Sequence, residues 1–326
     1  MFDWLFGSRK QAASQSRSLL SGDRSAEAIP LRVLMITHDP ILEAHGGRRL
    51  HTHFGWHDPD TLAEQYRADL AACSGGAAAY TIVERHVVDG YPAKIDGFRY
   101  HDTSYLDCWQ RRGGFHDPDS ADYERLLAEF GVVEQILRNA IDEVWLFGFP
   151  YAGYYESRMI GAGAVWCNAP PLSLGAACSR RFVVMGFNYE RDVGCMLENF
   201  GHRVESIMSH VYRNQRGERN LWERFTRYDQ SAPGRAECGN VHFAPSSMRD
   251  YDWGNQRVVQ SKADAWYNFP DLSAPARPIA AGEWGHGDMR GHHLWWLDHL
   301  PRVAGNSDGI ANNWWQYVLR PDRYLD

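Results

Sequence analysis

The sequence predicts an α/β protein with a mostly parallel, doubly wound sheet. Short apolar runs at residues 31–37, 143–149 and 182–187 suit buried strands. Helical patterns lie between these runs or directly after them. This alternation is typical of a parallel sheet that helices cover on both sides.

The first strands come early in the chain. The run at 31–37 is followed by Pro40, which lacks the N–H that a central strand needs. A helix is predicted at 61–73, because Asp60 is a suitable N-cap. A second strand is predicted at 80–88, where apolar positions alternate with polar ones.

The middle of the chain continues the same order. Helical periodicity covers 119–140, with Gly131 as an interruption. A strand at 143–149, a further strand at 162–168 and a strand at 182–187 follow. A long helix is then predicted from about Glu190 to Arg213, because apolar residues recur there at three- and four-residue steps.

Three regions follow from these elements. We expect a flexible leader at 1–30, a Rossmann- or flavodoxin-like domain at 31–213, and a cap at 214–326. The last region is rich in tryptophan and in the loop-forming residues Gly, Pro, Asn and Asp. We expect this cap to pack on the carboxyl edge of the sheet, where ligands bind in open α/β folds.

Composition and motifs exclude several function classes. The 326-residue chain has a net charge of −7, which argues against a nucleic-acid partner. No apolar run is long enough for a transmembrane segment, and the absence of a signal-peptide pattern predicts a cytoplasmic protein. The loop after the first strand matches no Gly-rich nucleotide motif, so no nucleotide cofactor is expected.

The long helix carries the first candidate site. His202 and Glu205 are three residues apart and face the same side, with Glu198 one turn earlier. With His242 as a third ligand, His202 and Glu205 would hold a zinc ion and leave a position for water. The alternative is a solvated helix face with pairs at i and i+4.

A second interpretation needs no metal. Glu156 and Glu190 each follow a predicted strand, and two carboxyl groups at neighbouring strand ends suit a glycosidase. Glu190 or Glu198 is alternatively the base of the metal-dependent reaction. Alternatively, Glu190 is a carboxylate that the helix dipole favours at the start of a helix, and Glu156 is an ordinary loop carboxylate.

A third set of residues suits substrate binding. Asp39 follows the first strand, at the edge where ligands bind. Tryptophans stack on sugar rings, and the polar groups near them bind hydroxyls; the same residues also suit an ordinary core. The members of this set beyond Asp39 are Asp252, Trp253, His292, His293, Trp314 and Trp315.

The sequence therefore predicts a hydrolase that acts on a polar, glycan-containing substrate through a metal-activated water. Two alternatives remain open at this point. One is a metal-free glycosidase with paired glutamates. The other is a non-catalytic glycan-binding or interaction protein.

Overall fold

The computed structural model describes residues 26–325, and a five-stranded sheet lies at its centre. The predicted leader lies outside the described residues up to residue 25. The strands in chain order are β1 Ile29–His38, β2 Ile41–Leu42, β3 Arg48–Arg49, β4 Ala78–Val88, β5 Glu143–Gly148, β6 Ser157–Ile160, β7 Phe182–Asn188, β8 Val259–Ser261, β9 Arg277–Ile279, β10 Arg302–Ser307 and β11 Ile310–Asn313.

The central sheet has the strand order β4-β1-β5-β7-β6. Its first four strands are parallel, and β6 pairs antiparallel to β7 at one edge. The predicted α/β class is therefore confirmed. The short hairpins β2–β3, β8–β9 and β10–β11 lie outside the central sheet.

Helices cover both faces of the sheet. The α-helices in chain order are α1 Leu50–Phe54, α2 Pro59–Cys73, α3 Asp102–Arg111, α4 Tyr123–Glu129, α5 Val132–Leu137, α6 Val193–Val211, α7 Leu221–Phe225, α8 Met289–Asp298, α9 Trp314–Leu319 and α10 Pro321–Tyr324. Buried residues of α4 and α5 pack on one face, and those of α2, α6 and α9 pack on the other.

Alternating side chains explain why the strands need cover on both faces. In β1, Val33 and Met35 belong to the core cluster under α2 and α6, whereas Leu34 and Ile36 belong to the cluster under α4 and α5. Successive residues of a strand point to opposite faces, so a continuous apolar run requires a layer on each side.

Two predicted segments differ from the structure. The strand expected at 162–168 is wrong, because those residues form turns and the neighbouring strand is β6. Gly163 has a left-handed φ of 70° there, which a strand does not accommodate. The predicted helix at 119–140 is two helices, and Gly131, with φ 57°, begins the second.

The helix α6 is the longest in the described chain, with 19 residues. The Asp192 side chain accepts a hydrogen bond from the Gly194 N–H and caps its start. Arg203 on α6 is fully buried and donates to the Glu143 carboxylate of β5 at 2.7 Å. The same guanidinium donates to the Val318 carbonyl of α9, so it joins three elements.

The C-terminal region extends beyond the carboxyl edge of the sheet. Trp315 of α9 stacks on Phe200 of α6 with ring centroids 5.9 Å apart. Near the chain end, Asp322 accepts a hydrogen bond from Arg180, which also binds Asp142 directly before β5. The region predicted as a cap thus shares the main core and reaches the amino ends of the strands.

No helix within residues 26–325 combines the length and the apolar character that a membrane crossing requires.

Candidate metal centre

Three potential ligands converge at the carboxyl edge of the sheet. The ligand atoms of Glu198, His202 and His242 all lie within 4.8 Å of one another. The two imidazole Nε2 atoms are 3.1 Å apart, and Nε2 of His242 is 3.3 Å from Oε1 of Glu198. Two ligand atoms on a tetrahedral zinc are about 3.3 Å apart, given bond lengths of about 2.0–2.1 Å. The spacing therefore fits one ion.

Two further carboxylates hold the imidazole rings in place. Nδ1 of His202 lies 2.9 Å from Oε2 of Glu205, and Nδ1 of His242 lies 3.0 Å from Oδ1 of Asp250. An ionised carboxylate only accepts, so Nδ1 of His202 carries the proton that it donates to Glu205, whereas Asp250 acts on His242 through its charge. If both neutral rings carry their proton on Nδ1, the two Nε2 lone pairs face each other, an arrangement that requires a proton or a cation between them.

The structure groups the candidate ligands differently from the prediction. Glu205 was expected to bind the metal, but both of its oxygens are already engaged, one by His202 and the other by the backbone N–H of Val241. Glu198, predicted as a base, takes its place in the cluster. The spacing i and i+4 puts Glu198 and His202 on one face of α6 as effectively as the spacing i and i+3.

A close approach of backbone segments brings His242 to the helix. A Cβ atom on Gly201 would lie 2.5 Å from a methyl carbon of Val241. Glycine at position 201 thus lets the segment around Val241 pack directly on α6. The indole N–H of Trp253 donates to the Val241 carbonyl at 3.1 Å and fixes this segment from the other side.

The charges within the cluster support one another. The hydrogen bond with Glu198 raises the pKa of His242. Burial acts to lower the pKa of His202, but Glu205 outweighs it and the pKa is raised. Burial acts to raise the pKa of Glu198, yet the hydrogen bond with His242 and the other histidines hold that pKa below its usual value. The site thus favours positive charge beside an ionised Glu198.

A cavity of about 360 Å³ opens beside the cluster, with Glu198 in its wall. It lies where β5 and β7 end, between residues 149–154 on one side and the start of α6 on the other. Gly186 of β7 lets the segment of Tyr154 and Tyr155 pack directly on this strand, since a Cβ there would overlap the Tyr155 carbonyl. Polar groups dominate the wall, which suits a polar ligand.

Glu156 also lines this cavity. Partial enclosure raises its pKa, although the charge of His202 and the hydrogen bond from Asn168 act against this effect. Glu190 was predicted as its partner, but Glu190 is not among the residues that line the cavity. The acidic residue that accompanies Glu156 there, next to the histidines, is Glu198.

Tyr251 covers the cluster from the solvent side and was missed by the sequence analysis. Its ring centroid is 4.4 Å from that of His242, and it lines the cavity. Its φ of 57° is left-handed, a conformation that side chains other than glycine adopt at an energetic cost. Burial and the charge of Glu198 raise its pKa to about 12, so the hydroxyl keeps its proton at neutral pH.

A buried lysine holds the opposite wall of the cavity. The Lys94 side chain has no exposed surface, and its ammonium group donates to Asp119 and to the Tyr151 carbonyl. Asp119 and Tyr151 both line the cavity. The loop after β5 is therefore fixed by a buried charge.

The other predicted substrate-binding residues have structural roles in this arrangement. Trp314 and Trp315 have no exposed surface, so the predicted sugar platform is wrong for this pair: they pack the core. Asp39 is buried and binds Nδ1 of His51 at 2.6 Å, and Asp252 accepts from Met248 and Asn255 within its own loop.

Two predicted histidines and one tryptophan lie behind the cluster. His292 and His293 are fully buried, and Trp253 is 5% exposed and stacks on His292. Nε2 of His293 lies 3.3 Å from the Val241 carbonyl, whereas neither ring nitrogen of His292 has a hydrogen-bond partner in the described structure. None of the three lines the cavity.

Comparisons with protein-family models, with curated proteins and with solved structures find no match to this chain.

Proposed function

We propose that this protein is a metal-dependent hydrolase that binds one zinc ion through Glu198, His202 and His242. The observation that carries the proposal is the pair of Nε2 atoms 3.1 Å apart, each on a ring whose Nδ1 is held by a carboxylate. This carboxylate–histidine–metal arrangement is the usual second shell of metal sites.

The ligand set suits hydrolysis. Two histidines and one glutamate leave a coordination position for water, and zinc lowers the pKa of that water to about 7. Glu156 is the candidate to take the proton of this water. Its raised pKa and its place in the cavity wall suit transfer of that proton to the leaving group.

Tyr251 has a separate role in the proposed reaction. Its hydroxyl remains protonated at neutral pH and lines the cavity, so it is a donor for the oxyanion that develops on the substrate. The substrate is a polar molecule, and a glycan-containing one remains the proposal from the sequence.

Elemental analysis of protein purified without a histidine tag tests the metal directly. We expect about one zinc per chain, with loss of the metal in His202→Ala and in His242→Ala. His210→Ala is the matched control, since His210 lies on α6 outside the ligand cluster. Wild-type protein that takes up no zinc after reconstitution, or variants that retain it, would contradict the proposal.

Turnover tests the reaction class separately. Glu156→Gln is expected to keep the metal and to lose about 10²–10⁴-fold in hydrolysis of acyl and glycosyl nitrophenyl compounds. Iron in place of zinc, together with no hydrolysis, would instead favour an oxygenase, because two histidines and a carboxylate also bind non-haem iron.

A further inference from the structure

The cavity beside the cluster of Glu198, His202 and His242 carries a basic residue that the proposed hydrolysis does not use. Arg191 lines the cavity and is exposed, and it lies two residues before the first residue of α6. Within residues 26–325 it forms no salt bridge, although the charges of Glu190 and Glu198 act on it. A guanidinium in a cavity wall that has no carboxylate partner in a salt bridge is suited to bind an anion.

Arg191 lies in the same part of the molecule as the proposed metal ligand Glu198. Its guanidinium interacts with the side chain of Cys195, which precedes Glu198 by three residues on α6. Three residues of helix rise about 5 Å. Arg191 and Glu198 line the same cavity of about 360 Å³, so a group bound at Arg191 and a group at the metal position would fit as two parts of one small substrate.

Asn188 adds a second donor to the same wall. Its Oδ1 accepts the backbone N–H of Glu190, which leaves the amide Nδ2 as a donor, and the residue lines the cavity at the end of β7. A guanidinium fork beside an amide N–H₂ is suited to carboxylate or phosphate oxygens, which accept several hydrogen bonds at once.

We infer that the substrate of this site carries an oxyanion group, a carboxylate or a phosphate, which Arg191 binds while the bond to be cleaved lies at the metal. The inference rests on the proposed metal-dependent function and names the class of substrate. Three acidic residues share this wall: Glu198 would be neutralised by a bound metal, Asp119 pairs with Lys94, and Glu156 accepts a hydrogen bond from Asn168.

Metal-chelating probes with and without an anionic tail test this inference. Acetohydroxamate binds a zinc ion without reaching Arg191, whereas the monohydroxamates of succinic, adipic and suberic acid add a carboxylate at increasing distance. Phosphonate-tailed hydroxamates of the same lengths distinguish a carboxylate from a phosphate preference. Dissociation constants are measured on the zinc-loaded protein.

We expect one tail length to bind at least about tenfold more tightly than acetohydroxamate. Arg191→Gln should abolish this gain without changing the affinity for acetohydroxamate, and Arg191→Lys should retain part of it. Arg219→Gln, an equal change of charge at an exposed residue outside the cavity wall, should leave the gain intact.

The outcomes separate the two proposals. If acetohydroxamate binds but no tail improves affinity, or if the gain survives in Arg191→Gln, the inferred substrate class is overturned and the metal site stands. If acetohydroxamate does not bind and zinc is absent, the metal site fails and the inference fails with it. Thermal melting of each variant verifies that it is folded.

Discussion

The two carboxylates behind the imidazole rings determine what the ligand cluster is able to bind. Glu205 accepts a hydrogen bond from Nδ1 of His202 and so fixes the proton of that ring, and the carboxylate of Asp250 lies 3.0 Å from Nδ1 of His242 and favours a proton there. Without them, either ring is free to flip or to change tautomer. The selectivity of the cluster for a cation thus depends on residues next to the ligands.

Removal of either charge should weaken metal binding without abolishing it. We expect Glu205→Gln and Asp250→Asn each to lower zinc affinity by about 10–100-fold, because a neutral amide holds the ring less firmly and makes it less basic. Competition with a chromophoric chelator measures the change. Glu134→Gln, at an exposed position on α5, is the control, and an unchanged affinity in both site variants would show that the rings need no such support.

Residue spacing predicted part of this cluster and missed the rest for physical reasons. The sequence shows that His202 shares a helix face with Glu198 and with Glu205, since both spacings are compatible with one face. It does not show which carboxylate the incoming segment engages. The Val241 N–H settles that by binding Glu205, and this contact spans 36 residues of chain. His242 was chosen correctly as a neighbour of His202.

At the scale of elements, the site depends on how closely the segment around Val241 approaches α6. Gly201→Ala places a methyl group 2.5 Å from a methyl carbon of Val241, which is stiff at χ1 and fully buried. We expect a loss of about 1–3 kcal/mol of unfolding free energy together with weaker zinc binding, although alanine is the better helix former. Urea denaturation and metal titration measure the two effects.

A double variant separates the overlap from other effects of that substitution. Val241→Ala added to Gly201→Ala should restore much of the lost zinc affinity, because the shorter side chain leaves space for the new methyl group. Gly113→Ala is the control for glycine replacement as such, since a Cβ there meets no atom within 4 Å. A Gly201→Ala protein with wild-type affinity would mean that the segment tolerates displacement.

The ion pair between Arg203 and Glu143 is the second link between elements. Both residues are almost fully buried, and the carboxylate also accepts from the Trp145 indole. We expect Arg203→Met to cost about 3–5 kcal/mol, because a buried carboxylate would lose its counter-charge. Glu143→Gln in the same chain should recover part of this loss. Arg213→Met, at an exposed position two residues after the end of the same helix, should be close to neutral in urea denaturation.

Elements with strong periodicity were predicted well, and those that depend on distant contacts were not. The strands β1, β5 and β7 and the helix α6 were found to within three residues at each end, because their apolar patterns are long or bounded by clear signals. The helix α3 was not predicted. Only Tyr105 among its residues is buried, so its apolar pattern is weak. It begins at a capping box formed by His101 and Ser104, whereas the usual residues of that motif are Ser or Thr followed by Glu or Gln.

At the scale of the molecule, the site lies where two parts of the chain share one core. The cluster around α6 includes strand residues such as Trp145 and C-terminal residues such as Trp314. The ligands follow the same division, since Glu198 and His202 come from α6 and His242 from the region predicted as a cap. The geometry of the site is therefore coupled to the stability of the whole fold.

Stability should fall in mild acid because the fold buries neutral histidines. Burial lowers the pKa of His38 to about 4, with Arg99 adding to the effect, and burial also lowers the pKa of His293 to about 4. Nδ1 of His38 and the Tyr154 hydroxyl oxygen are 2.6 Å apart and form one hydrogen bond, which the neutral ring makes inside the fold. A proton therefore binds the unfolded chain more readily than the folded one.

The direction of the pH dependence follows from these values. Above about pH 6.5, His38 is neutral in both the folded and the unfolded protein, and the full stability is present. As the pH falls toward 4, His38 takes up a proton in the unfolded protein only, and the free energy of unfolding decreases. A shift from 6.5 to about 4 corresponds to on the order of 3 kcal/mol for one histidine. Urea denaturation of chelator-treated protein across this range measures the slope.

A substitution that does not titrate tests whether His38 contributes to that slope. In His38→Gln the side-chain amide oxygen is able to accept from Tyr154, and we expect a shallower dependence between pH 6.5 and 4 at some cost in stability at neutral pH. His210→Gln, on a histidine that is only partly buried, should change the slope less. If His38→Gln and the wild type lose stability in parallel as the pH falls, the acid sensitivity belongs to other groups, with His292 and His293 as the next residues to replace.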